Sequence, residues 1–517
     1  MNNLPHDPAR AFDLVVVGGG VNGAGIARDA AGRGLKVLLC EQDDLAEHTS
    51  SASTKLIHGG LRYLEYYEFG LVRKALKERE LLLRAAPHIM WPLRFVMPHD
   101  PSMRPAILIR VGLFLYDHLA RRRFLPGSRS IDLKHHPAGV PLAGQWRRGF
   151  EYSDGWVDDA RLVVLNACDA AERGATILTR TRCIGARRSQ DRWHVDLISR
   201  DGGKACTVTA RAMVNAAGPW VANMLSGTLN VESSHRIRLV KGSHIVVPKL
   251  FSHPYAYIFQ NPDRRIIFAI PYERDFTLIG TTDVDYHGDA GRAVIDAGEI
   301  AYLCQMANRY FKSQIGPDDV VRTYCGVRPL LQDDRSEAAA VTRDYWLELD
   351  TSAAPLVSVF GGKITTFRRL AEETMDLLLP ALGVEESTLR HWTATTPIPG
   401  GNFGDLDYPG YVRELIRTRP WLPQSLAERY VRAYGTRVLR VIANATSIAD
   451  LGREVAPSVF EAELTYLVRE EWAVSADDVL WRRSKLGLHL NAAEQDAVAQ
   501  WLDTRVTQPE PLSTVTA

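Results

Sequence analysis

The chain alternates between apolar runs short enough to be strands and longer segments with a helical spacing. Phe12-Asp-Leu-Val-Val-Val17 carries β-branched residues and reads as a strand buried on both faces, as in a parallel sheet. Gly18-Gly-Gly20-Val-Asn-Gly23 comes directly after it. Ala24 to Arg33 has helical composition, and a second apolar run, Leu35 to Cys40, ends in Glu41. Ala212 to Trp220 reads as a strand ending in a glycine turn, and Leu356 to Phe367 as strand, glycine turn and helix. His244 to Val247, Ile266 to Ile270 and Thr277 to Ile279 predict strands of a mixed, mainly antiparallel sheet. Beyond Pro397 to Pro409, a Gly-, Pro-, Asn- and Asp-rich stretch that reads as a linker, helices are predicted at Tyr411 to Arg419, Ser425 to Tyr434 and Ser458 to Trp472. The class is α/β, or α+β overall, with a helical domain closing the chain.

The first of these segments carries chemistry. Gly18, Gly20 and Gly23 form G-x-G-x-x-G between a strand and a helix. Gly18 permits the tight turn, Gly20 the approach of a pyrophosphate to the backbone, and Gly23 close packing of helix on sheet. The helix start offers free N–H groups and a positive dipole end to phosphates. Glu41, a carboxylate at the end of the second strand, suits ribose hydroxyls, hence FAD or NAD rather than NADP. The next segment of the chain distinguishes FAD from NAD. Thr49 to Tyr63 is too polar and glycine-rich for the next strand of a regular NAD-binding unit, and reads as a loop holding a large polar ligand. Three strand ends far apart in sequence then converge on one long cofactor, which suits FAD.

Composition narrows the setting. Against 62 Lys+Arg stand 61 Asp+Glu, and 46% of the 517 residues are hydrophobic, so the chain is an ordinary globular protein and not a broad nucleic-acid binder. The six cysteines, Cys40, Cys168, Cys183, Cys206, Cys304 and Cys325, form no CxxC pair, which points away from a disulfide framework or metal site and towards a reducing cytosol. No signal-peptide pattern opens the chain, and no run reaches the roughly 18–20 apolar residues of a membrane span. Arg104 to Phe124 has an apolar centre between basic ends, Arg104 and Arg110 on one side and Arg121-Arg-Arg123 on the other, the pattern of an interfacial anchor or of a buried helix with a basic exit loop.

The sequence resembles the FAD-dependent, quinone-linked glycerol-3-phosphate dehydrogenases, in particular the aerobic bacterial type. The resemblance rests on Val17 to Gly34, Ser50 to Tyr63, Glu151-Tyr-Ser-Asp154 with Trp156 to Arg161, Lys241 to Val246, Ile279 to Asp283, Gly326 to Pro329, Thr342-Arg-Asp344, and Gly361-Gly-Lys363 with Arg368 and Ala371, and spans nearly the whole chain. Phe367 departs from it, since Tyr is usual there, and no polar role is assigned to that position.

The resemblance implies oxidation of glycerol 3-phosphate to dihydroxyacetone phosphate, with hydride transfer to FAD and reoxidation by a membrane quinone. It implies a cytoplasmic protein, peripheral at the inner face of the cytoplasmic membrane. FAD-contacting candidates are Gly18, Gly20, Gly23, Glu41, Thr49, Ser50, Ser51, Ser53, Lys55, His58, Gly59, Gly60, Ala217, Gly218, Trp220, Gly361, Gly362, Lys363 and Thr365. Arg62, Tyr63, Arg328, Arg343 and Lys363 are the candidates for substrate, because arginine and lysine suit a phosphate dianion. Among the candidate catalytic residues His244, Arg328 and Lys363, the proton acceptor is His244 or, in competition, His58, since arginine is a poor base. No metal is expected. The alternatives are an amino-acid or amine oxidase of the same superfamily, a glycerol-3-phosphate oxidase using oxygen, and a flavin-stabilised binding protein without turnover. Three domains are expected: a discontinuous FAD-binding domain (10–75, 150–230 and 355–390), a substrate-binding and membrane-facing domain (76–149 and 231–354), and a helical cap (398–517). A homodimer is compatible with the sequence.

Overall fold

The computed structural model describes residues 11–507 except 101–104, 201, 204, 234, 264, 332–343 and 385–390, with only the backbone at 505–507. The apolar run at the start forms the strand Ala11–Val17, whose Leu14, Val15 and Val16 are completely buried, each worth about 1.5–3 kcal/mol of apolar burial. It lies between Cys206–Asn215 and Val37–Cys40, parallel to both; Leu356–Gly361 and Thr176–Leu178 extend the parallel set outward. Parallel pairing brings the C-terminal ends of these strands to one edge. Gly18, Glu41, Ala216 and Gly361 therefore meet at a single crevice, where the connections turn to opposite sides of the first strand. Helices Val21–Gly32, Asp159–Glu172 and Phe367–Ala381 cover one face, and small residues Ala24, Ala27, Ala30 and Ala31 allow the close approach.

A second sheet runs Val284–Asp285, Ile237–Pro248, Phe276–Gly280, Ile266–Tyr272, Ala256–Gln260, Met90–Pro98, Arg148–Val157 and Leu56–Ile57; Arg322–Leu331 pairs with Ile237–Pro248 and Arg129–Asp132 with Arg148–Val157. Its pairs are antiparallel except Met90–Pro98 with Ala256–Gln260. Three strands change sheets relative to the expected boundaries. Arg148–Val157 and Leu56–Ile57, grouped by sequence with the FAD-binding part, belong to the second sheet, while Tyr345–Asp350 joins the first. Both sheets contribute buried apolar faces, so strand composition alone does not say which one a segment joins.

The C-terminal domain packs helices Tyr408–Thr418, Gln424–Tyr434, Val438–Ile442, Glu461–Glu471 and Ala492–Thr507 around its own core. The expected helix from Ser458 begins later, because Val459–Phe460 first pairs as a strand with Glu454–Ala456. The stretch predicted as a linker is wedged in. Ile398 N–H donates to Ala85 O at 2.9 Å, and a Cβ at Gly401 would come within 2.2 Å of the same carbonyl. Gly400 and Gly401 serve close packing, not freedom of movement, whereas Gly404 faces open space at φ +62°. Among the described residues no helix is long and apolar enough to cross a membrane.

Candidate active site and cofactor cavity

A cavity of about 510 Å³, within the usual range for cofactor sites, extends along the strand-end crevice from Glu41 to Lys363 and His244. Gly18 holds φ +111°, and a Cβ there would lie 2.4 Å from Ala216 O. At Gly23 a Cβ would lie 1.8 Å from Gly18 O, so helix and turn meet without room for any side chain. Gly18 and Gly20 line the cavity; Gly23 stands behind them. Helix Val21–Gly32 has no acidic residue in its first turn and no side-chain bond from its cap residue. Val21 N–H donates to Ser50 Oγ at 3.0 Å. At the far end the buried Glu41 accepts from Gly19 N–H at 2.6 Å and Asp43 N–H at 2.9 Å. Burial raises its pKa, and those two donors oppose the shift. Asp43 in turn holds His48 at 2.8 Å, and His48 meets Trp220 edge-on, with both rings on the cavity wall. Polar atoms of Glu41, Asp43 and His48 come within 4.8 Å of one another, and these hydrogen bonds account for the cluster.

The loop from Thr49 to Tyr63 is pinned from beneath. Asp159 accepts from Ser53 N–H at 3.1 Å, Ser53 Oγ at 2.7 Å and Lys55 Nζ at 2.7 Å. Thr49 Oγ1 donates to Val327 O at 2.7 Å, tying the loop to the second sheet. Of the candidates for cofactor contact, Thr49, Ser50, Ser53, His58, Ala217, Gly218, Trp220, Gly361, Gly362, Lys363 and Thr365 line the cavity. Lys55 does not. Its ammonium is buried against Asp159 and lies 5.0 Å from the centre of the Tyr324 ring, so it anchors the loop from behind. Ser51, Gly59 and Gly60 also fall outside the lining; Gly59 N–H is taken by Tyr116 Oη at 2.7 Å.

At the other end Ile237–Pro248 and Arg322–Leu331 run antiparallel, with His244 opposite Tyr324 and Val240 opposite Arg328. Even spacing along one strand faces one side, so this register sends His244 and Arg328 to the same cavity wall. His244 is buried and stacks on Tyr324 at 4.8 Å, and its Nε2 lies 3.0 Å from Thr54 Oγ1. Its Nδ1 has no hydrogen-bond partner among the described residues. Burial, then the positive charges of Lys55 and Arg328, hold its pKa well below the ordinary imidazole value, so the ring is neutral at neutral pH. Arg328 reaches Asp283 at 2.7 Å and Thr282 O at 2.9 Å. Lys363 Nζ lies 3.8 Å above the Tyr63 ring. Arg62 is outside the lining, and Arg343 lies outside the described residues. Asn22, His48, Thr54, Phe268 and Thr281 also line the cavity and are not among the residues predicted from sequence. Thr54 is detectable only through its neighbours, since Ser53 and Lys55 fix it from both sides.

Comparison with known proteins decides the family. Residues 13–368 match the family described as FAD dependent oxidoreductase, and residues 391–506 match the C-terminal domain of alpha-glycerophosphate oxidase.

The chain belongs to the FAD-dependent oxidoreductases.

It is 54% identical over 495 residues to the D-erythritol 1-phosphate dehydrogenase of Brucella abortus, covering 95% of this chain and 97% of that one. It is 51% identical over 494 residues to the aerobic glycerol-3-phosphate dehydrogenase of Escherichia coli, with 95% and 97% covered. A solved structure of the glycerol-3-phosphate dehydrogenase from Bacillus halodurans complexed with FAD superposes with a TM-score of 0.75 at 27% identity, covering 98% and 97% of the two chains. FAD is the cofactor of this family, and the cavity fits it: a helix N-terminus without acidic side chains, a fixed carboxylate at one end and a buried polar pocket at the other. Phe367, the departure from the usual Tyr, is buried in the core against Gly25 and is not part of the cavity lining.

Proposed function

We propose that the protein oxidises the C2 hydroxyl of glycerol 3-phosphate to give dihydroxyacetone phosphate and delivers the electrons to a membrane quinone. The observation that carries this reading is the pairing of a neutral, buried His244 with the cations Arg328 and Lys363 at one end of the FAD cavity. When bound, FAD supplies the two-electron oxidant that takes the hydrogen from C2. Lys363 and Arg328 attract the phosphate, with Arg343 and Arg62 proposed to assist. Tyr63 and Phe268 shield the pocket from water, which strengthens each charged contact. The hydroxyl proton passes to His244 Nε2, the ring nitrogen whose partner Thr54 also lines the cavity. Anaerobic addition of glycerol 3-phosphate is expected to bleach the flavin absorbance; an unchanged spectrum overturns the reading in favour of a binding protein. Stopped-flow reoxidation faster with a quinone analogue than with oxygen is expected for the dehydrogenase, and the reverse for an oxidase.

The 54% identity to a D-erythritol 1-phosphate dehydrogenase supports a second reading, a one-carbon-longer polyol phosphate. Both substrates present a phosphate to the same cations and differ at the opposite end. A ratio of kcat/KM for the two substrates assigns the preference.

Membrane contact is part of the proposal. Helix Ala106–His118 leaves Ile107 76% and Phe114 56% exposed, with Leu108 and Val111 beside them and Arg121 and Arg123 exposed just beyond its end. Leu113 and Tyr116 hold the other face in the core. A helix half sunk in the protein and half apolar to the outside, with cations beside it, suits an anionic lipid surface. Arg104 lies outside the described residues. The triple variant Arg121→Glu/Arg122→Glu/Arg123→Glu is expected to lose flotation with anionic liposomes; undiminished flotation counts against this surface.

A further inference from the structure

Among the described residues the C-terminal domain has no side chain in the lining of the cofactor cavity, yet it grips the loop that forms one cavity wall. Asp44 sits in that loop, three residues beyond Glu41, and is completely buried. Arg482 Nε reaches its carboxylate at 2.6 Å, and Arg483 binds it through both terminal nitrogens, Nη2 at 2.8 Å. Arg482 also approaches Glu47, which lines the cavity, at 3.6 Å. The neighbouring segment at Arg180 and Thr181 is tied to the same loop. Arg180 N–H donates to Asp43 O at 2.7 Å and Thr181 N–H to Glu41 O at 2.7 Å, while the Arg180 guanidinium pairs with Asp478 at 2.6 Å. Asp478 pairs with Arg482 as well, and Arg483 Nε donates to Glu471 O at 3.0 Å, so the arginines are themselves fixed.

Packing two helical layers together requires apolar surface. It does not require two consecutive arginines desolvated around one loop carboxylate, an arrangement that is costly unless every charge is paired. The two-pronged contact also fixes direction as well as distance. We propose that the turn Asp478–Arg483 is a clamp on the FAD site. Arg482 and Arg483 are positioning residues that act through Asp44 to hold loop 41–48, and with it Glu41, in the geometry that receives the cofactor. This goes beyond the proposed reaction and holds for either polyol phosphate.

The test is FAD affinity of the full-length protein, measured by titrating the apoprotein and monitoring flavin fluorescence, with thermal melts of each variant alongside. Arg482→Gln leaves Arg483 paired with Asp44, so the protein stays folded, and it is expected to weaken FAD binding by about tenfold. Arg483→Lys keeps the charge but loses the planar fork, and is expected to weaken it as well. Arg437→Gln is the comparison. It breaks another contact between the same domains, that of the buried Arg437 with the partly exposed Glu172 on helix Asp159–Glu172, away from the loop. It is expected to lower the melting temperature without weakening FAD. FAD affinity of Arg482→Gln within about twofold of the parent overturns the clamp. Equal weakening in Arg437→Gln also overturns it, because the effect is then a general loss of domain docking.

Discussion

Replacing His244 by alanine is expected to slow turnover by about 10²–10⁴-fold, the range for loss of a positioned general base. The size reflects its surroundings. The ring is buried, stacked on Tyr324 and set against Thr54, so water does not readily take its place. The pH profile separates a chemical role from a packing one. Burial, Lys55 and Arg328 depress the folded pKa of His244, and the neutral ring is the active form. Activity of the parent enzyme therefore stays level through neutral pH and falls only as the pH drops below the ordinary imidazole range. In His244→Ala that acid limb is expected to vanish along with most of the turnover. Near-parental turnover with the limb intact rules His244 out and leaves His58, which lines the same cavity and whose backbone N–H donates to Thr365 Oγ1 at 3.2 Å.

The largest expected effect on stability belongs to Arg161→Met. Arg161 binds Glu471 through both terminal nitrogens, with Nη2 at 2.9 Å, and both side chains are almost wholly buried. Removing one partner of such a pair strands the other charge and costs about 3–5 kcal/mol. The sign with pH is set by Glu471. Burial pushes its carboxyl up, but Arg161, with Arg483 and Arg437 beyond it, brings the net pKa below the usual value. The pair therefore contributes stability above the ordinary carboxylate pKa, and that contribution is lost as pH falls through the depressed folded value. Urea melts are expected to show a large deficit in Arg161→Met at neutral pH that shrinks under acid, where Glu471 is protonated in both proteins. A deficit that does not change with pH assigns the loss to packing over Tyr434, whose ring centre lies 5.3 Å from the guanidinium.

Glu41 and Glu471 differ in what offsets burial. Glu41 has two backbone N–H groups and its pKa is raised, while Glu471 has a guanidinium and its pKa is lowered. Sequence distance explains why only Glu41 is legible as a candidate from the sequence. Glu41 comes at the end of a strand and lies within one βαβ unit of the glycines it serves, whereas Glu471 meets Arg161 across 310 positions.

Local sequence is enough to specify the strand, glycine turn and helix at Ala11–Gly32, the carboxylate after the second strand, and the strand ends at 212–215 and 356–361 that complete the crevice. These depend on short-range rules: β-branched runs, glycine where a Cβ has no room, and the period of side chains along each element. Other features arise only in the folded chain. Folding turned Lys55 away from the cavity and onto Asp159, set Thr54 beside His244, made a packed wedge of the stretch predicted as a linker, and placed two C-terminal arginines behind Asp44. These outcomes depend on strand register, on close backbone packing, or on the desolvation of charges by residues 104 to 439 positions away, and none of these exists until the chain has closed on itself.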